Sequence, residues 1–253
     1  MTPADQRAAT ALVVACVRYA DLRPDVDALT GAITRDAHRA GLSAADEAAV
    51  ERALRIAESW SAPVLVVAAG PPAADDTLRG AMALGCDVLR VPWPAGDGAG
   101  LGSAQGFLND LGGDERAVAR AVAAALLVAG PPALVVCGDR SADRGTGAFP
   151  AFLAHELGAA QALGLVDLHP EADGILAERR LDGGRRERLR VPRPAVCSVE
   201  GAGMRLRRAS LPATLDAGRR AVPVTAANGT PTTDPGDRVP TPPVVIGSPV
   251  RYR

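Results

Sequence analysis

The strongest constraint in this chain is a recurrence of short, valine-rich apolar runs, each followed by a stretch with helical spacing. Residues 11–18 (ALVVACVR), 63–69 (PVLVVAA) and 133–137 (ALVVC) are apolar almost throughout. Strands of that kind are buried on both faces, which places them in a parallel sheet covered by helices on either side. Between the first two runs, Ser43-x-x-Asp46 resembles a capping box, with Asp in place of the usual Glu or Gln. Behind it Val50, Ala53, Leu54 and Ala57 fall at i, i+3, i+4 and i+7, predicting a helix to about Trp60. Gly70-Pro71-Pro72 turns the second strand, and residues 77–84 read as a helix with Leu78, Ala81 and Met82 on one side and Gly85 beyond its end. Residues 87–91 are expected as a third strand. Residues 92–113 are Gly-rich and irregular; Asp114 then caps a helix to Ala129, which Gly130-Pro131-Pro132 stops. The strand at 133–137 leads into a loop, 138–146, and a helix over 147–157. The alternation predicts an α/β domain with a mostly parallel sheet.

After Gly164 the pattern changes. Residues 174–181 and 186–191 flank Asp182-Gly183-Gly184, a hairpin signal, and residues 194–199 (PAVCSV) read as another short buried strand. Residues 205–208 (RLRR) form a basic run, expected as a solvated face. From residue 225 the chain becomes rich in Thr, Pro, Gly and Asp, which predicts a C-terminal arm over 225–253 after a domain over 1–224.

Composition narrows the function classes. Lys+Arg 28 against Asp+Glu 29 gives a net charge of −1, which makes no electrostatic case for nucleic acid or an anionic membrane surface. All the basic residues are arginines, so Schiff-base and P-loop lysine chemistry are excluded. The opening MTPADQRAAT lacks a basic region followed by an apolar stretch, so no signal peptide is expected. No apolar run approaches the length of a membrane span. Cys16, Cys86, Cys137 and Cys197 are scattered, with no metal-like spacing to His38, His155 or His169, and read as small buried hydrophobes. The expectation is a soluble, reduced, cytoplasmic protein.

Ligands of open parallel sheets bind beyond the carboxyl ends of the strands. Of the candidate loops, the one after the fourth strand is the most informative: Gly138, Asp139, Arg140, Ser141, Ala142, Asp143, Arg144, Gly145, Thr146 and Gly147. It leaves a strand, is rich in small residues and ends on a helix N-terminus, whose unpaired N–H groups and dipole suit a phosphate. Ser141 and Thr146 add hydroxyls, and Arg140 or Arg144 a charge. The same residues would equally make a capped turn whose arginines face solvent. Asp139 and Asp143 alone are weak metal ligands. The glycines of 96–102 do not form a dinucleotide fingerprint, Asp75 and Asp76 suit a helix start rather than a catalytic dyad, and no nucleophile elbow is present. A nucleotide-shaped site without acid–base machinery favours binding or electron transfer over hydrolysis.

The order of these motifs resembles the beta subunit of electron transfer flavoproteins over residues 11–220. LVVACVR is like that family's opening strand, and LSAADEAAVERA (42–53) is similar to its Asn-Pro segment followed by Glu-x-Ala-Val-Glu-x-Ala. VVAAGPPAADDTLRGAMALGCD resembles its strand, Gly-Pro turn and helix; DGGRRERLRVPRPAV resembles its Asp-Gly-Gly hairpin and Pro-Ala-Val strand; RASLPATLDAGRR matches its Leu-Pro helix start. The resemblance implies an adenine-nucleotide hydrolase-like, Rossmann-like three-layer fold with a C-terminal hairpin and extended arm. It implies a heterodimer with an alpha subunit that carries most of the FAD contacts, a dehydrogenase as electron donor, and AMP or a second FAD in this chain. The nucleotide would touch Ala15, Ser43, Asp46, Ala69 and the 138–147 loop, and the arm would wrap the alpha subunit. A basic helix near the C-terminus and the loop before it would face partners. There are departures. Ser43-Ala44 replaces Asn-Pro, the 138–147 loop is shorter, and Gly201 and Gly203 stand where the family's partner-docking loop carries leucines, with Met204 next to them. The short loop looks closest to the divergent branch associated with mycofactocin, a peptide-derived redox cofactor. A stand-alone adenine-nucleotide-binding module, or a structural partner with a decayed nucleotide site, are the alternatives.

Overall fold

The computed structural model describes residues 11–34, 39–93 and 114–225. The expected irregular stretch at 94–113, with its glycine series, and the arm from 226 onward lie outside the described residues. In chain order the elements are β1 (Leu12–Arg18), β2 (Ala20–Asp21), β3 (Asp25–Val26), β4 (Ile33–Thr34), β5 (Ala40–Gly41), α1 (Ala44–Trp60), β6 (Val64–Ala69), α2 (Asp75–Ala83), β7 (Asp87–Val91), α3 (Glu115–Ala129), β8 (Pro132–Gly138), α4 (Phe149–Glu156), β9 (Ala160–Glu171), β10 (Gly174–Arg180), β11 (Arg186–Pro192), β12 (Ala195–Val199) and α5 (Leu211–Arg219).

β1 lies inside the sheet, between β8 and β6, and both its faces are apolar. Val13, Ala15 and Val17 pack with α1, while Val14 and Cys16 pack with α3. Eight strands join in the order β11-β10-β9-β12-β8-β1-β6-β7. The run from β9 through β7 is parallel, and β10 and β11 extend it antiparallel. Helices α1, α2 and α5 cover one face and α3 and α4 the other, a three-layer Rossmann-like α/β arrangement with two cores separated by the sheet.

The helix ends follow local chemistry. Ser43 and Asp46 form the reciprocal capping box, Asp114 accepts from the Arg116 N–H at 3.0 Å, and Gly85 follows α2 with φ of 89°. Asp75 and Asp76 sit in the first turn of α2 and pair with Arg90 and Arg79 at 2.7 and 2.6 Å. All four cysteines are buried and free. Among the described residues no helix is long and apolar enough to cross a membrane, and no cluster of three metal-ligating side chains occurs.

Three features depart from the sequence reading. β9 is a twelve-residue strand that no apolar run announces. Its first half pairs parallel with β12 and its second antiparallel with β10, with irregular register along both pairings. Gly164 adopts φ of 66° there, and its N–H donates to Ser198 Oγ at 2.9 Å. Burial along β9 therefore recurs about every third residue rather than every second. The polar stretch after β1 contains two small antiparallel pairs, β2 with β5 and β3 with β4. The 205–208 run is not simply solvated, since Arg207 is fastened to α1 through Glu51. Past α5 the chain runs beside β7, where the Arg90 N–H donates to the Pro223 carbonyl and the Thr225 N–H to that of Arg90.

Candidate functional site

From β1 the chain winds outward through β6 to β7, then returns to β8 on the other side of β1. That reversal is a topological switch point, where crossovers leaving on opposite faces open a crevice beyond the strand ends. A cleft with about 630 Å³ of non-protein space, mouth included, lies there. Cys16, Val17, Val67, Ala69 and Cys137 form its floor, and α3 and α4 add Val118, Val122, Phe149 and Pro150. Its polar groups are Arg18, Asp46, Glu115, Arg140, Ser141 and Thr146, with Gly138 and Gly147 leaving backbone bare.

Seven of the expected contacts therefore meet at one place: Asp46, Ala69, Gly138, Arg140, Ser141, Thr146 and Gly147. The others do not line it. Ala15 has no exposed surface and faces the α1 side of the core. Ser43 is turned back into the capping box, donating from its hydroxyl to Asp46 at 2.6 Å. Asp139 is half-buried beside the cleft, where burial pushes its carboxyl up against the opposing pull of Arg140. Asp143, Arg144 and Gly145 form the back of the loop. There Arg18 grips Asp143 through two 2.7 Å bonds, a bidentate pair across 125 residues of sequence.

The loop is closed by its own hydrogen bonds. The Ser141 N–H donates to the Thr146 carbonyl at 2.8 Å, the Gly145 N–H to the Ser141 carbonyl at 2.9 Å, and the Thr146 N–H to Ser141 Oγ at 3.2 Å. Gly147 passes so close to Asp139 that a Cβ there would lie 2.5 Å from its carbonyl oxygen. Helix α4, which the loop enters, starts at Ala148 with no side-chain cap and no acidic residue in its first turn. Glu115 of α3 supplies the missing acceptors: one carboxylate oxygen takes the Thr146 hydroxyl and the other the Ala148 N–H at 3.2 Å.

Sequence reasoning missed Arg18 and Glu115. Each acts on a loop more than 25 residues away, and no local pattern marks such a pairing. Gly201 also has a structural reason for being glycine, since a Cβ there would stand 2.8 Å from the backbone at the start of α1.

Two carboxylates face the cleft. Burial pushes Asp46 up to about 6, although the Ser43 hydroxyl and the N–H groups of Ser43 and Arg18 favour its charged form. Two thiols in this part of the sheet are held in their protonated form. Hydrogen bonding with Cys16 and burial hold Cys137 far above its usual range, and burial takes Cys197 to about 12. No histidine is among the described residues lining the cleft. The apolar floor suits a flat heterocycle, and the hydroxyl and backbone rim suits a sugar.

A sequence model of the electron transfer flavoprotein domain matches residues 30–228. The electron transfer flavoprotein subunit beta of Mycobacterium tuberculosis (strain ATCC 25618 / H37Rv) is 33% identical over 172 residues, covering 66% of this chain and 59% of that protein. The protein of the same name from Mycobacterium bovis matches with the same identity and coverage. The chain thus spans 59% of the length of the curated relatives it matches.

Proposed function

This chain belongs to the electron transfer flavoprotein domain family, and from that premise we propose that it is the beta-type subunit of a heterodimeric electron transfer flavoprotein. Its partner is an alpha-type subunit holding most of an FAD, with a dehydrogenase as electron donor. The bound flavin supplies the redox chemistry; this chain contributes a rigid scaffold, a docking surface and an adenine-nucleotide cleft. The domain over 1–224 carries the cleft, and the arm over 225–253 embraces the partner. The working compartment is the cytoplasm, and the short 138–147 loop links the chain to the mycofactocin-associated branch.

The observation that carries the reading is the cleft at the β1/β8 switch point. In this reading the adenine and ribose of AMP, or of a second FAD, would lie over that floor and rim, the base toward Val67, Val118, Val122 and Phe149 and the sugar toward Ser141 and Thr146, all of which line the cleft. A stand-alone nucleotide module is disfavoured by β9–β12, which widen the sheet without touching the cleft. One observation favours a decayed nucleotide site, namely that Glu115 stands where a phosphate would be expected.

Gly147→Ala tests the location. Its added methyl group must push away the Asp139 backbone, costing about 1–3 kcal/mol and reshaping the rim. Acid release and mass spectrometry of the purified protein should find nucleotide with the wild type and little with the variant. Equal nucleotide content in the two would place the ligand elsewhere.

A further inference from the structure

A second recess lies away from the cleft, where the second half of β9 meets α1 and the turn after β12. It encloses about 940 Å³ of non-protein space, mouth included, and shares no lining residue with the cleft. The irregular register of β9 shapes it. Asp167 pairs with Glu178 and Leu165 with Arg179, so Val166 between them has no partner on β10. Its carbonyl is met instead by α1, where Arg52 Nη2 donates to it at 2.6 Å. Ile56, Leu168, Pro170 and Met204 join Val166 in making the walls apolar.

The acceptors of this recess are engaged. Asp167 Oδ1 takes Arg52 Nη1 and the Leu168 N–H, and its Oδ2 lies 3.1 Å from His169 Nε2. The donors are not all engaged. Arg52 is 6% exposed, and its buried Nε has no partner among the described residues. An unpaired N–H on a buried cation costs stability until an acceptor reaches it. Arg55 stands at the rim, more than half exposed, and uses only its Nε, on Glu51 at 2.8 Å. Its Nη groups make no hydrogen bond among the described residues. Unsatisfied guanidinium donors inside apolar walls call for a ligand that accepts at one end and is apolar at the other. The two oxygens of a carboxylate match the guanidinium fork.

We propose that this recess binds a small apolar carboxylate, its acid group toward Arg52 and Arg55 and its body against Ile56, Leu168, Pro170 and Met204. An amine would be repelled by the two arginines, and a neutral alcohol would leave their donors poorly matched. The site stands apart from the nucleotide cleft, so neither assignment depends on the other.

Hexanoate is the probe, with hexanol and hexylamine as controls carrying the same tail. Binding is followed on the full chain by NMR of the arginine Nε–H signals. Hexanoate should bind with a Kd of about 1 mM, at least about tenfold tighter than either control, and should move the Arg52 and Arg55 signals. Removing Arg52 would strand Asp167 and endanger the fold, so Arg55→Ala is the first variant. It should weaken hexanoate about fivefold and leave hexanol unchanged. Met204→Glu, which brings a like charge into the recess, should abolish hexanoate binding. Controls that bind as well as hexanoate, or variants that leave its affinity unchanged, would overturn the proposal. So would signal changes confined to Arg18 and Arg140 of the cleft, or none at about twenty times the expected Kd. The nucleotide reading survives each of these results.

Discussion

Replacing Arg207 with alanine is expected to lower the unfolding free energy by about 2 kcal/mol, because it removes three charge-assisted guanidinium bonds, two of them to a buried carboxylate. Glu51 is 2% exposed, on the inner side of α1. Arg207 holds it with its backbone N–H at 3.1 Å, Nε at 3.0 Å and Nη2 at 3.1 Å, and reaches Glu58 with Nη1. After the substitution the exposed Arg55 still donates to one Glu51 oxygen at 2.8 Å, and the backbone N–H of residue 207 to the other. Breaking a buried pair costs more than the pair is worth, because the remaining charge stays desolvated. The double variant Glu51→Leu/Arg207→Met should therefore recover most of the loss. A denaturant titration of the single and double variants measures this directly; additive losses would show that the pair is not coupled.

The pH dependence of this pair is also fixed in sign. Burial pushes Glu51 up, but Arg207 and Arg55 more than offset it and leave its carboxyl below the usual range. Its contribution is present at neutral pH and is lost as the solution becomes acidic enough to protonate it.

Asp46 has the opposite sign, and this is the second large expectation. Its carboxyl rises from an ordinary 3.8 to about 6, so between those values the folded chain binds a proton that the unfolded chain does not. Stability from this group is fully present below about 3.8 and is lost as pH rises through about 6. The unfolding free energy of the wild type minus that of Asp46→Asn should therefore grow by about 2 kcal/mol from pH 7 to pH 4. Taking the difference removes the opposing carboxylates, Glu51 among them. Parallel profiles for the two proteins would mean that Asp46 titrates as an ordinary surface carboxyl.

Much of the fold was legible because it is written in local patterns. The valine runs at β1, β6 and β8, the capping box at Ser43, the Asp114 cap and the Asp-Gly-Gly hairpin each depend on neighbours a few residues away. β9 was not legible because it changes partners along its length, and its burial follows the bulge rather than a two-residue period. The candidate site divides the same way. The loop from Gly138 to Gly147 could be located from the strand before it and the helix after it. The Arg18–Asp143 clamp and the Glu115 cap could not, because both join segments that meet only when the sheet closes. Arg207 shows the same limit, since a basic run reads as solvated until the packing of α1 brings Glu51 beneath it.

In the proposed function this chain is the beta-type half of a flavoprotein, with an adenylate in its switch-point cleft. Native mass spectrometry of the complex purified from its own host tests that role. One copy of this chain with one alpha-type chain, one FAD, and the additional mass of AMP or a second FAD is the expected composition. A chain that travels alone, with no partner, flavin or nucleotide, would contradict it.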